Sequence, residues 1–302
     1  LAGASTAGTS RAITAVPSDA GRLALRTEAD WDATIEPVAV DAERTRFDFV
    51  LPCAAPFLYF KPVLLRDGEV HWAQGENQLL LRGQGERTGD GEVHRAYPHF
   101  FADHACSVCS LQHFTSRDGA REHALRVFYP PGYGENELER YPVLYMQDGQ
   151  NLFFPDEAFN GTHWKIDETL RILDAMNLVR KAIVVGIYPR DRMVDYTQPG
   201  YEEYGRFLVD EVKPWIDQNY RTLPGPEHTA VMGSSLGGVV SFYLAWQYPE
   251  VFGYAGCLSS TFTYRDDLLQ RVASEPQRPV RFYLDSGWPR DNYEVTLAMR
   301  NR

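Results

Sequence analysis

The stretch Gly233-Ser234-Ser235-Leu236-Gly237 sets a serine between two glycines, with the run TAVM before it and LGGVVSFYLAWQY, residues 236–248, overlapping its end. A buried-type strand that turns sharply into a helix crowds the residues on either side of the turn, and glycine relieves that crowding. The residue at the apex is then held outward at a helix N-terminus, where developing negative charge is stabilised. Only Ser235 takes the central place in G-x-S-x-G. The pattern alone is common, and a glycine-rich helix start with a capping serine would also produce it. The apolar strand before it and the apolar helix after it favour a reactive hydroxyl.

Such a hydroxyl needs a base, an acid that orients the base, and donors for an oxyanion. One donor is expected from the backbone N–H of Leu236. The second should come from the loop after an earlier strand. YPVLYMQDGQNLFF, residues 141–154, supplies a strand ending in Gln147-Asp148-Gly149-Gln150, where glycine lets the chain turn the Gln150 N–H toward the site. A plain Asp-Gly turn is the alternative. For the acid, VRFYLDSG offers Asp285 at a strand end, and Asp291 follows in GWPRDNYE. Asp291 is preferred, although Asp291 and Glu294 also spell a D-x-x-E cap for the next helix. The usual chain order is Ser, acid, His. Yet His71, His94, His99, His104, His113, His123, His163 and His228 all precede Ser235. The expectation is a domain cut short, with its histidine on a loop beyond Arg302. A domain without activity, or His163 of the GTHW loop standing in as base, are the alternatives.

These groups need a scaffold. From about residue 106 a hairpin with a turn at Arg117-Asp118-Gly119 is expected, then alternating units: strand YPVLYM, helix WKIDETLRILDAM, strand KAIVVGIY, helix YEEYGRFLVDEVKPWI, strand HTAVMG, helix LGGVVSFYLAWQY, strands YAGCLSS and VRFYLDSG, and helix NYEVTLAMRN. Apolar strands alternating with amphipathic helices predict an α/β fold with a mostly parallel sheet covered on both faces. Residues 21–103 carry short β-rich runs, among them TRFDFVL, FLYFKPVLL and GEVHWAQGENQLLLRG, split by Gly, Asp and Asn. They predict a small antiparallel sandwich. Residues 1–20 read as a flexible tail, giving a division at 1–20, 21–103 and 104–302.

Taken together, YPVLYMQDGQNLF, GTHWKIDETL, IVVGI, VMGSSLGG and DNYEVTLAMR resemble the Putative esterase branch of the α/β-hydrolases, a group with enterochelin-type siderophore esterases, feruloyl esterases and mycolyltransferases. The resemblance covers about 106–302. It implies Ser235 as nucleophile, Asp291 as acid, the amides of Gln150 and Leu236 as oxyanion donors, and no cofactor. DRMVDYT looks like the family's R-x-x-[DE]-Y segment, which implies that Arg192 and Tyr196 line the cleft. His163 and Trp164 of the GTHW motif are expected beside the substrate. The β region is similar to the immunoglobulin-like domain that precedes the hydrolase in enterochelin-esterase relatives. The implied partner is a small-molecule or glycan ester, cleaved by hydrolysis or passed to an alcohol acceptor. A non-catalytic carbohydrate-binding module is a third reading.

Other features bound the answer. The chain has 302 residues and a net charge of −11. An acidic surface argues against nucleic acid or anionic membrane as partner. No apolar run reaches spanning length and no leader is visible, so a cytoplasmic location is expected, with periplasmic or secreted left open. His104, Cys106, Cys109 and His113 suggest zinc, but an extended 106–114 would put Cys106 on one face and Cys109 and His113 on the other. No metal is therefore expected. The aromatic group Tyr59, Phe60, Trp72, Tyr97, Phe100 and Phe101 suits a sandwich core better than a sugar platform.

Overall fold

Seven strands form the central sheet of the second half of the chain: β1 (Gln112–Thr115), β2 (Glu122–Phe128), β3 (Val143–Gln147), β4 (Ile183–Ile187), β5 (Thr229–Ser234), β6 (Tyr254–Leu258) and β7 (Arg281–Asp285). Their order across the sheet is β1-β2-β4-β3-β5-β6-β7. The β1–β2 and β2–β4 pairs are antiparallel and the rest parallel. The computed structural model describes residues 9–15, 21–52, 55–88, 91–101, 108–117, 119 and 121–302. Among these residues no helix is long and apolar enough to cross a membrane.

The sheet follows from its sequence. Every residue of β4, IVVGI, is buried, as expected for a parallel strand covered on both faces. Helix α5 (Leu236–Gln247) is buried at every position except Gln247 and packs on β5 and β6. A helix apolar on all sides belongs inside a protein. The remaining helices are α1 (Ile166–Ala175), α2 (Arg192–Asp195), α3 (Gly200–Phe207), α4 (Lys213–Asn219), α6 (Leu268–Ser274) and α7 (Tyr293–Arg300). The single helix expected over 201–216 is instead two, α3 and α4, joined by a π turn at Leu208–Val212. Pro214 stands just inside α4 and has no N–H for the preceding turn. The ladder widens there.

Contacts divide the chain into two compact units. One comprises Cys106–Pro130, Arg140–Thr169 and Lys181–Arg302 and holds the seven-stranded sheet. The other runs to residue 105 and takes in Pro131–Glu139 and Leu170–Arg180 as well. Those two excursions are tied by hydrogen bonds: Glu76 N–H donates to the Ala175 carbonyl at 2.7 Å, and Phe100 N–H donates to Glu135 at 2.7 Å.

The N-terminal unit is β-rich, with one five-stranded sheet and a second built on Phe57–Arg66. Leu23, Leu25, Phe47, Phe49, Leu51, Phe60 and Leu80 form its core. Strand alternation splits the aromatic group. Phe60 and Phe100 are in the core, while Tyr59, Trp72 and Phe101 are exposed. Thr9–Ala15, placed in a tail by its small polar residues, is a strand that pairs with Arg46–Pro52 and Gly91–Ala96. Its run TSRAITA has Ile13 and Thr14, which favour extended backbone. His104 and Cys106 of the zinc reading lie outside the described residues, as do Cys53 and Asp118. The two members that are described have other partners. Cys109 Sγ accepts from Val127 N–H at 3.0 Å, and His113 pairs with Glu122 at 2.9 Å.

Candidate active site

Ser235 is the residue between β5 and α5, with φ 58° and ψ −119°. A non-glycine residue rarely adopts such a conformation, which costs on the order of 1–3 kcal/mol and persists only where the surroundings enforce it. Here they do. Ser235 N–H donates to the Leu258 carbonyl at 2.9 Å, and its own carbonyl accepts from Gly238 N–H at 3.1 Å and Val239 N–H at 3.2 Å. The turn also brings backbone against backbone. A Cβ at Gly233 would lie 2.5 Å from the Gly237 carbonyl, and one at Gly238 would lie 2.1 Å from Ser260 Oγ. The Ser235 side chain makes no capping hydrogen bond to α5. The capping role open to it in the sequence is therefore not the one it takes.

Beside it, Asp148 follows β3 with φ 56°, and Gly149–Asn151 forms a short helical turn. Strands β3 and β5 are neighbours in register, Met146 opposite Met232, so the Gln150 turn flanks the serine turn. Among the described residues neither the Gln150 nor the Leu236 amide donates to another group. Both expected donors remain available on the same edge of the sheet.

Asp291 lies on the loop after β7. Its Oδ2 accepts from Ser259 Oγ at 2.7 Å and from Gly287 N–H at 2.8 Å. These bonds, the serine hydroxyl first, hold its carboxyl below the ordinary value of 3.8. The cap position of α7 falls on Asn292, so Asp291 does not serve as the cap its spacing with Glu294 suggested. Asn292 Nδ2 donates to the Ser259 carbonyl at 2.7 Å, which fixes the Asp291 loop to the loop after β6. Asp285, the other acid weighed, is an exposed strand end.

In the R-x-x-D-Y segment the expectation for Tyr196 is corrected. Tyr196 is fully buried, out of reach of a substrate in the cleft. Its hydroxyl accepts from Asp148 N–H at 2.9 Å. Arg192 donates from Nε and Nη2 to the two oxygens of Asp148 at 2.9 and 3.1 Å, and from Nη2 to the Ser234 carbonyl at 3.2 Å. Tyr204 adds a hydrogen bond to Gln147 Oε1. Burial pushes both phenols well above their ordinary value, so they stay neutral. His163 and Trp164 lie on a loop held to the Gln150 turn: Trp164 N–H donates to the Asn151 carbonyl at 2.7 Å. Glu168 lies 3.9 Å from Nε2 of the His163 ring.

Ser259 and Gly238 went unassigned in the sequence, and Asp148 registered there only as a turn residue. A signal existed for Asp148 alone, since a carboxylate ending a buried strand requires a cation nearby.

The profile of the family described as Putative esterase matches residues 116–301. The chain belongs to this family. The chain is 31% identical over 156 residues to an endo-1,4-beta-xylanase/feruloyl esterase of Xylanibacter ruminicola, covering 48% of this chain and 20% of that protein. The aligned part is thus about a fifth of that relative's length. Among solved structures, a ferulic acid esterase superposes with a TM-score of 0.54 at 21% identity, covering 64% of this chain and 85% of that one. An enterobactin esterase from Shigella flexneri gives 0.54 at 14% identity, covering 96% and 82%. At these identities the likeness is one of fold: an α/β-hydrolase domain preceded by a β-rich region.

Proposed function

We propose that the chain is a serine esterase that cleaves a carboxylic ester in two acyl-transfer steps. The observation that carries this reading is the strained Ser235, forced to a positive φ with its hydroxyl not spent on capping, between two unspent amides. Ser235 Oγ attacks the ester carbonyl, and the Gln150 and Leu236 amides receive the oxyanion. Each such donor is worth about 3–4 kcal/mol in the transition state. A general base oriented by Asp291 takes the hydroxyl proton and returns it to the departing alcohol. Asp291 Oδ1 is left to orient that base. Water then repeats the cycle on the acyl-enzyme and releases the acid.

The rim of the site supports a bulky apolar substituent beside the ester. Exposed Phe154 and Phe159 follow β3, Met193 and Val194 follow β4, Tyr264 follows β6, and Trp288 and Tyr293 follow β7. Phe159 and Trp288 are 76% and 71% exposed. Large apolar side chains gathered on one loop edge mark a binding surface. Feruloyl and siderophore esters, the kinds named by the relatives, both fit it better than a small acetyl group does.

The test is hydrolysis of nitrophenyl esters by the full-length gene product. Ser235→Ala should lower kcat by about six orders of magnitude, with longer or aryl acyl groups preferred to acetyl in the parent protein. Retention of more than a few per cent of the activity would remove Ser235 from the mechanism.

A further inference from the structure

Asp148 is 2% exposed and carries a carboxylate, and it adopts a left-handed conformation that L-residues avoid. Something must both neutralise it and hold it there. Arg192 does the first by meeting both carboxylate oxygens at 2.9 and 3.1 Å, the fork geometry of the strongest ion pairs. Tyr196 does the second, its hydroxyl taking the Asp148 N–H at 2.9 Å. Arg192 reaches one step further. The same Nη2 donates to the carbonyl of Ser234, the residue before the proposed nucleophile, at 3.2 Å. The carboxylate itself lies against the first turn of α5, since a Cβ at Gly237 would be 3.1 Å from Asp148 Oδ2.

Arg192 and Tyr196 occupy one turn, α2 and the residue that ends it. That turn is fixed independently of the site. Asp191 accepts from Met193 N–H at 2.9 Å, and the fully buried Asp195 accepts from Arg190 N–H at 2.8 Å and from Arg121 at 3.4 Å. A rigid turn therefore grips two loops at once: the one that ends in the Gln150 amide and the one that ends in the Leu236 amide.

Resting on the esterase reading above, we propose that Asp148, Arg192 and Tyr196 are positioning residues that set the separation of the two oxyanion donors. They touch neither substrate nor reacting atoms. Their effect is confined to the transition state, because an oxyanion hole matched to the developing charge contributes little to ground-state binding. Lysine at position 192 keeps the charge but is a single point donor, unable to span both carboxylate oxygens and the Ser234 carbonyl.

The experiment compares the parent protein with Arg192→Lys and Tyr196→Phe, using a nitrophenyl ester for steady-state kinetics and a fluorophosphonate for the rate of Ser235 modification. The expected result for Arg192→Lys is a ten- to hundredfold fall in kcat with KM changed less than threefold, and an equal fall in the fluorophosphonate rate. Tyr196→Phe, which loses one hydroxyl inside intact packing, should show the same pattern at three- to tenfold. It carries the test by itself if Arg192→Lys does not fold. A KM effect without a kcat effect would make Arg192 a substrate contact and overturn the proposal. So would unchanged kinetics in either folded variant. If the parent protein is itself unmodified at Ser235, the esterase reading has failed instead, a result the variants cannot mimic.

Discussion

At the scale of single residues, the serine turn is defined by what its glycines exclude. Gly238 faces Ser260, whose Oγ is buried and has no hydrogen-bond partner. Gly238→Ala would press a methyl to within 2.1 Å of that oxygen. We expect it to lower stability by about 1–3 kcal/mol, the usual range for overpacking. Ser260→Ala, which gives up no hydrogen bond, should be neutral or stabilising, and should recover most of the loss in the double variant. Denaturant midpoints for the four proteins close this cycle. Additive effects would show that the two side chains do not meet. What was legible at this scale is placement: G-x-S-x-G anticipated Ser235 at a strand–helix junction, where it lies, and the run VRFYLDSG anticipated Asp291 on the loop after the last strand. The role of Tyr196 was not legible, because a tyrosine in a loop motif gives no sign of whether it faces solvent or the interior. Only the packed structure, with Tyr204 edge-on to it at 5.7 Å, shows it to be buried.

At the scale of elements, β2 carries a group whose titration reports on packing. His123 is 1% exposed and stacks on Phe207 at 4.7 Å. Its Nδ1 donates to the Tyr188 carbonyl at 3.0 Å, and its Nε2 has no partner. Burial, the largest influence, holds its pKa below the ordinary 6.5. The sign follows from linkage. Below pH 6.5 the unfolded chain binds a proton that the folded chain refuses, so stability falls as pH falls, by up to about 1.4 kcal/mol per pH unit, until the folded value is reached. Urea midpoints should therefore drop between pH 7 and pH 5, and His123→Leu should flatten that part of the profile. Parallel profiles would place His123 in contact with water. Element types were readable because their periods are strong: IVVGI has no polar face and LGGVVSFYLAW has none either. The interruption at Leu208–Val212 was signalled by Pro214, late in the helix expected over 201–216, because a proline inside a helix withholds an N–H from the preceding turn.

At the scale of the molecule, the alternation of strands and helices announced an α/β sheet, but not its order. The reversal that places β3 between β4 and β5 is what brings the Gln150 turn beside Ser235, and no local pattern encodes it. Nor does the sequence mark Pro131–Glu139 and Leu170–Arg180 as parts of the N-terminal unit, because those contacts join segments far apart in the chain. What the sheet order produces is one edge carrying a strained serine, two open amides and an oriented carboxylate. The most direct check on that arrangement is to treat the full-length gene product with a fluorophosphonate and locate the adduct by peptide mass spectrometry. A single adduct on Ser235, absent in Ser235→Ala and accompanied by loss of ester hydrolysis, is the predicted result. An adduct on Ser234, Ser259 or any other serine, or full hydrolysis after Ser235 is modified, would contradict it.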